Sequence, residues 1–176
     1  MNPRTSRFDV LSQIGALRRY ARSLTRDASD AEDLVHDALV RAYEKRATFR
    51  AGGNIRAWLL SILHNTFVDG VRSRRSEAVR VAESGRLAES ALPASQDHSV
   101  RLSQVRNAFL GLPEEQRAGL HLVAIEGLSY QEAANTLGIP LGTLMSRIGR
   151  ARAALREMED GMPAKGSHLR IVGGPE

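Results

Sequence analysis

Cysteine is absent from this 176-residue chain. Its absence excludes a disulfide scaffold and a cysteine nucleophile, and it suits a reducing, cytoplasmic setting. Lysine is almost absent as well: Lys45 and Lys165 are the only two, and every other basic residue is arginine. Aromatic residues make up 5%, with Trp58 the single tryptophan. No apolar run approaches the roughly 18 to 20 residues of a membrane span, so none is expected. The stretch Met1–Arg7 lacks the apolar centre of a signal peptide. The five histidines (His36, His64, His98, His121 and His168) show none of the paired spacings of a metal site. No glycine-rich loop with a following lysine is present to hold a phosphate, and Ser61 with His64 is too common a pairing to indicate a catalytic triad. The chain therefore reads as a non-enzyme without cofactor or metal.

What is present is charge with a particular distribution. The formal net charge is +5, from 25 basic and 20 acidic residues. Residues 1–75 hold 14 basic against 8 acidic residues, residues 76–97 hold 2 against 4, and residues 98–160 balance at 7 against 7. The positive excess thus lies in the first half, and a mildly acidic stretch follows it. Arginine presents a rigid fork that matches phosphates and base edges, although compositional bias alone also produces such an excess.

Hydrophobic residues (42%) suffice for a core, and their spacing is helical throughout. Leu11, Ile14, Leu17 and Ala21 recur at three and four from about Phe8 to Leu24. Ser29 followed by Glu32 has the form of a capping box, opening a helix with Leu34, Ala38 and Ala42 on one stripe and Val35, Leu39 and Tyr43 beside it. Gly52-Gly53 interrupts, and a third helix carries Ile55, Trp58, Leu59, Ile62, Leu63, Phe67, Val68 and Val71 into the basic cluster Arg72, Arg74, Arg75. Three such helices bury one another, which makes residues 1–75, with the pattern starting at 8, a helical domain.

Residues 76–97 read as a linker, the run from Glu77 to Glu83 being able to extend the helix by a turn or two before Gly85, Pro93 and Ser95. A second domain is expected over 98–160. Leu112-Pro113-Glu114-Glu115 restarts a helix, with Pro113 at its first position and the glutamates at the positive end. Residues 161–176 read as a disordered tail. The fold class is all-α, two small helical domains joined by a linker.

The second domain contains a helix-turn-helix signature from Gly127 to Arg152. Ser129 and Glu132 form a second capping box, Ala133 is small where two helices cross, and Gly138 suits a left-handed turn. Leu137, Ile139, Leu144 and Ile148 supply a shared core. The last helix then presents Thr143, Ser146, Arg147 and Arg150 on the opposite side, fitted to the major groove. In the first domain, Asn65 and Asp69 share a helical face. They suit base edges or a local cap, while Arg72, Arg74 and Arg75 suit phosphates or form an ordinary solvated charge run. Trp58 reads chiefly as a packing anchor, with base stacking as the second reading. Asp33, Asp37 and Glu44, with Arg41 beside them, form a patch suited to a basic partner or to plain solvent.

Three stretches carry a family resemblance: Asp30-Ala31-Glu32-Asp33-Leu34-Val35-His36-Asp37 on to Tyr43; Asn54-Ile55-Arg56-Ala57-Trp58-Leu59 on to Asp69; and Leu112-Pro113 with the helix-turn-helix. In this order and spacing the chain resembles the extracytoplasmic-function sigma factors of the bacterial sigma-70 family over residues 8–158. The resemblance implies core RNA polymerase as partner through its beta-prime and beta subunits. Asp30, Asp33, Asp37 and Arg41 would make the core contact. It implies −10 promoter recognition and opening by Asn54, Trp58, Asn65, Asp69, Arg72, Arg74 and Arg75. It implies −35 recognition by Ser129, Thr143, Ser146, Arg147 and Arg150, a linker running through the polymerase, and restraint by an anti-sigma factor. One departure is Leu63-His64 before Asn65, where many members carry Ala-Arg; it removes a positive charge near the promoter helix. The alternatives are a sigma-like mimic that sequesters an anti-sigma factor and a stand-alone helix-turn-helix regulator.

Overall fold

The computed structural model describes residues 9–82 and 100–160. The linker from 83 onward, the start of the second domain at 98–99 and the tail lie outside the described residues. Within them the fold is helical: α1 (Ile14–Thr25), α2 (Ala28–Glu44), α3 (Ile55–Ala82), α4 (Val100–Gly111), α5 (Glu114–Ala124), α6 (Tyr130–Leu137) and α7 (Leu141–Asp160). Short 3-10 turns at Leu11–Gln13 and Arg46–Thr48 precede α1 and follow α2.

Local chemistry sets the helix ends. Arg26 leaves α1 in a left-handed conformation (φ 62°), its amide bonding back to the Arg22 carbonyl. The side chain of Asp27, not Ser29, caps α2, accepting from the amides of Ser29 and Asp30. The expected Ser29–Glu32 box is therefore not formed. Asp27 lies two residues earlier, with extended backbone, and takes the free amides first. Glu32 instead reaches Arg18 at 2.9 Å and ties α2 to α1. α3 extends to Ala82, so the first residues of the expected linker continue the helix. Pro113 is the N-cap of α5 rather than its first residue, its extended ψ of 141° preceding the helical turn.

The core follows the stripes read from the sequence. Leu17, Tyr20, Ala21 and Leu24 of α1 meet Leu34, Val35, Ala38 and Ala42 of α2 and Leu59, Leu60, Leu63 and Phe67 of α3. In the second half α5 and α7 pack on each other and α6 fills the angle between them. Ala133, Leu144, Ile148 and Ala151 are wholly enclosed. Tyr43 departs from its expected place beside the stripe. It lies in the last turn of α2, 65% exposed, with the Arg46 guanidinium 4.2 Å over its ring.

The two halves also pack together, α1 against α5 and α3 against α6, and their buried residues form one continuous cluster.

Candidate nucleic-acid interface

The helix-turn-helix is assembled from its caps. The Ser129 hydroxyl accepts from the Glu132 amide at 3.2 Å, and the Glu132 carboxylate accepts from the Ser129 amide at 2.9 Å. Ser129 thus holds the start of α6. Gly138 closes α6 at φ 63°, and its amide bonds to the Ala134 and Asn135 carbonyls. The chain then turns through Ile139 and Pro140 into α7, with Gly127 (φ 72°) making the earlier turn out of α5. Both positive-φ positions are glycine because a side chain there would be strained.

On α7, Leu144 and Ile148 are buried while Ser146 and Arg150 are exposed and Thr143 is half-exposed. Arg147 is turned further inward than its position predicts. Its side chain is 22% exposed, and its guanidinium donates to Glu115 of α5 at 2.7 Å. The ion pair braces α7 against α5 and leaves Ser146 and Arg150 as the forward groups.

Gly119 escaped the sequence reading. A β-carbon on it would lie 2.9 Å from the Leu144 side chain, with Ile148 and Leu137 close behind. Its lack of a side chain lets α5 approach α7 and fixes the angle of the presented helix. A lone glycine inside an otherwise regular helix was the available signal.

On α3, Asn65, Arg72, Arg74 and Arg75 are exposed. Trp58 is half-buried, its ring 5.4 Å from Phe49, in keeping with an anchor. Asp69 accepts from Arg41 of α2 at 2.9 Å. These two residues, assigned by resemblance to different partners, are joined to each other and clamp α2 to α3. Asn54 begins α3, its side-chain oxygen accepting from the Ala57 amide at 3.2 Å and its amide group donating to Glu132 of α6 at 2.8 Å. The hydrogen bond from Asn54, with those from Ser129, holds the Glu132 carboxyl below its usual range.

His64 faces inward. Its Nδ1 lies 3.1 Å from the Tyr20 hydroxyl. Burial, with a smaller contribution from the Arg147 charge, pushes its pKa down to about 4. Burial pushes the Tyr20 phenol up, so it stays protonated. A neutral imidazole suits a site near Arg147, where an arginine would add like charge. The family departure at this position thus falls in the packing between the halves.

On α2, Asp30, Asp33 and Asp37 are exposed, Asp37 lying 3.7 Å from His36. Val40 and Tyr43 are exposed nearby, so this surface joins carboxylates to apolar contact. Among the described residues no helix is long and apolar enough to cross a membrane, and no cluster of three or more His, Cys, Asp or Glu has metal-binding geometry.

A helical bundle followed by a helix-turn-helix bundle, with exposed acids on α2 and basic or polar faces on α3 and α7, defines the class of bacterial sigma factors with regions 2 and 4. The chain matches Sigma-70 region 2 over residues 12–77 and Sigma-70, region 4 over residues 102–155. It is 38% identical over 149 residues to the ECF RNA polymerase sigma factor EcfG of Rhodopseudomonas palustris, covering 85% of this chain and 82% of that one. It is 32% identical over 139 residues to SigW of Bacillus subtilis, covering 73% and 74%. Among solved structures, the sigma factor RpoE of Bartonella quintana, in complex with the anti-sigma factor NepR, is 35% identical with a TM-score of 0.72, covering 86% of this chain and 94% of that one. The chain belongs to the extracytoplasmic-function sigma factors of the sigma-70 family, whose role is non-enzymatic.

Proposed function

We propose that this protein directs core RNA polymerase to promoters whose −10 element is read and opened by α3 and whose −35 element is read as duplex by α7. The observation that carries this reading is the two-sidedness of α7. Leu144 and Ile148 are enclosed while Ser146 and Arg150 stand exposed on a capped helix-turn-helix, the arrangement that lets a helix enter a groove about 12 Å wide. Arg150 reaches phosphate or guanine, Ser146 permits close backbone approach, and Thr143 flanks them. Arg147 joins them on exchanging Glu115 for DNA. Asn65 serves an unstacked base, and Arg72, Arg74 and Arg75 hold the backbone; Asn54 and Trp58 order the start of the same helix. Asp30, Asp33 and Asp37 dock α2 on the polymerase beta-prime subunit, with Arg41 fixing α2 through Asp69. The beta subunit engages the second domain. An anti-sigma factor is the expected restraint, a reading supported by the similarity to RpoE of Bartonella quintana in complex with the anti-sigma factor NepR.

In vitro transcription with purified core polymerase and mapped start sites tests the reading. Arg150→Ala is expected to reduce −35-dependent initiation about 10-fold or more, in line with the roughly 1–3 kcal/mol of one base contact. Asp33→Arg is expected to lower holoenzyme yield on gel filtration. Full initiation by both variants would reject these assignments. DNA protection upstream without any requirement for core would identify a stand-alone regulator.

A further inference from the structure

The outer side of α7 carries more than the polar groups already named. Leu144, Ile148 and Ala151 are enclosed. At roughly 100° per residue, the side opposite them runs through Gly142, Ser146 and Gly149. Met145 flanks that line on one side and Arg150 on the other, and all five residues are exposed. Met145 is 55% exposed, and Leu141, one turn before it, is 39% exposed. Two large apolar side chains thus stand side by side in water, on a helix whose inner side already fills the core. Covering such surface is favourable, and the partner that covers it must offer an apolar group of its own.

The glycines beside them have no internal reason. A β-carbon on Gly142 or Gly149 would meet no atom within 4 Å, in contrast to Gly119, where it would strike Leu144. Neither is held at the positive φ that favours glycine, and glycine inside a helix weakens it. What the missing side chains provide lies outside the protein: the backbone of α7 can come close to whatever rests against this face. Ser146 between them is short, and Arg150 adds positive charge. A smooth, basic face with one apolar flank fits the major groove of duplex DNA. Base edges there offer donors and acceptors and one apolar feature, the C5-methyl group of thymine. Leu141 and Met145 lie in the first turns of α7, the part of a recognition helix that meets base edges.

We propose that Met145 is a specificity-determining residue: it reads thymine in the −35 duplex by contact with the C5-methyl group, and Leu141 closes that apolar contact from the turn before. The assignment rests on the reading of α7 as the duplex-reading helix. It divides the labour across the face. Arg150 supplies charge and hydrogen bonds, whereas Met145 makes no strong hydrogen bond and distinguishes thymine from cytosine by the methyl that cytosine lacks. Methionine is unbranched and polarizable, so it follows a methyl group without the fixed geometry that a hydrogen bond demands. One enclosed methyl is worth about 4-fold in affinity.

The test uses holoenzyme assembled on purified core polymerase. Duplexes randomised upstream of the −10 element are selected by the unaltered holoenzyme. In the duplex that emerges, each upstream thymine is replaced in turn by deoxyuridine, which keeps every pairing group and lacks only the methyl. At one or two positions the replacement is expected to weaken binding about 4-fold. Met145→Ala holoenzyme is expected to bind the thymine duplex more weakly by a similar factor and to be indifferent to the replacement. Met145→Leu is expected to restore part of both. Met145 is exposed, so neither variant is expected to lower the melting midpoint. Equal sensitivity to deoxyuridine in the unaltered and Met145→Ala proteins overturns the proposal. So does a lack of sensitivity at every position, or a selected element without thymine on either strand. Poor assembly of Met145→Ala with core, with the deoxyuridine response intact, would assign this face to a protein partner and overturn it as well. If the unaltered holoenzyme enriches no upstream sequence, the reading of α7 is rejected and the proposal with it. Enrichment that is lost in Arg150→Ala, yet shows no response to deoxyuridine, leaves that reading standing and removes Met145 alone.

Discussion

His64 and Glu126 show how single residues inherit their properties from the helices packed against them rather than from their own. For Glu126, burial alone would raise the carboxyl pKa, but hydrogen bonds from His121 and Arg19 overcome it and hold the group below its usual value. Its stabilising contribution is therefore present above the ordinary carboxylate range and is lost only as pH falls beneath it. His64 acts in a higher window. The unfolded chain takes up its proton near the ordinary histidine value of about 6.5, whereas the folded protein resists until about 4. Stability is thus unaffected by His64 above that upper value, falls as pH drops between the two, and has lost the full amount below the lower one. Thermal melts from pH 7 to pH 5 are expected to show a falling midpoint. His64→Gln, which does not titrate and still meets the Tyr20 hydroxyl, is expected to flatten that slope. An identical slope in the variant would place the acid sensitivity elsewhere.

At the scale of helices, the sequence announced α6 almost completely. Ser129, Glu132, Gly138 and the apolar spacing all agreed, and each acts through neighbours no more than a few residues away. The start of α2 was misread for the same local reason. Two rival caps stood two residues apart, and only backbone conformation decides that Asp27 takes the amides. The exposed side of α7 was legible from its buried stripe, but the inward turn of Arg147 was not, because Glu115 lies on another helix. Nor was the Arg41–Asp69 bridge, which spans α2 and α3. Gly119 belongs to this scale as well. Gly119→Ala exchanges about 1 kcal/mol of helix propensity for a close approach to Leu144, and a small net effect is expected. Gly119→Val adds bulk with no room in the α5–α7 contact. It is expected to cost about 1–3 kcal/mol, read as a lowered urea midpoint at unchanged m. A neutral Val variant would mean that α7 is free to move away from α5, and the presented face would lose its fixed angle.

For the whole molecule, the closing of one half on the other was beyond the sequence reading, since periodicity marks which face is buried but not against which partner. Arg117 looked like one more surface arginine on a helix of mixed character. Its role depends on carbonyls of Ser23 and Leu112, one of them 94 residues away. The consequence is energetic. Two bundles of this size each bury a smaller fraction of their surface than one domain of the full length, and the continuous core lets each supply what the other lacks. Trp58, the single tryptophan, lies in the first half, its ring 5.4 Å from Phe49. Leu144, wholly buried, lies in the second. Leu144→Ala is expected to cost about 2–5 kcal/mol through the cavity it leaves, lowering the melting midpoint by roughly 5–15 °C for a protein of this size. If the halves unfold as one unit, the midpoint followed by Trp58 fluorescence falls in step with that followed by helical circular dichroism, although Leu144 and Trp58 belong to different halves. If Trp58 melts at its original temperature, the contact between the halves transmits no stability, and the two behave as independent bundles that merely share a surface.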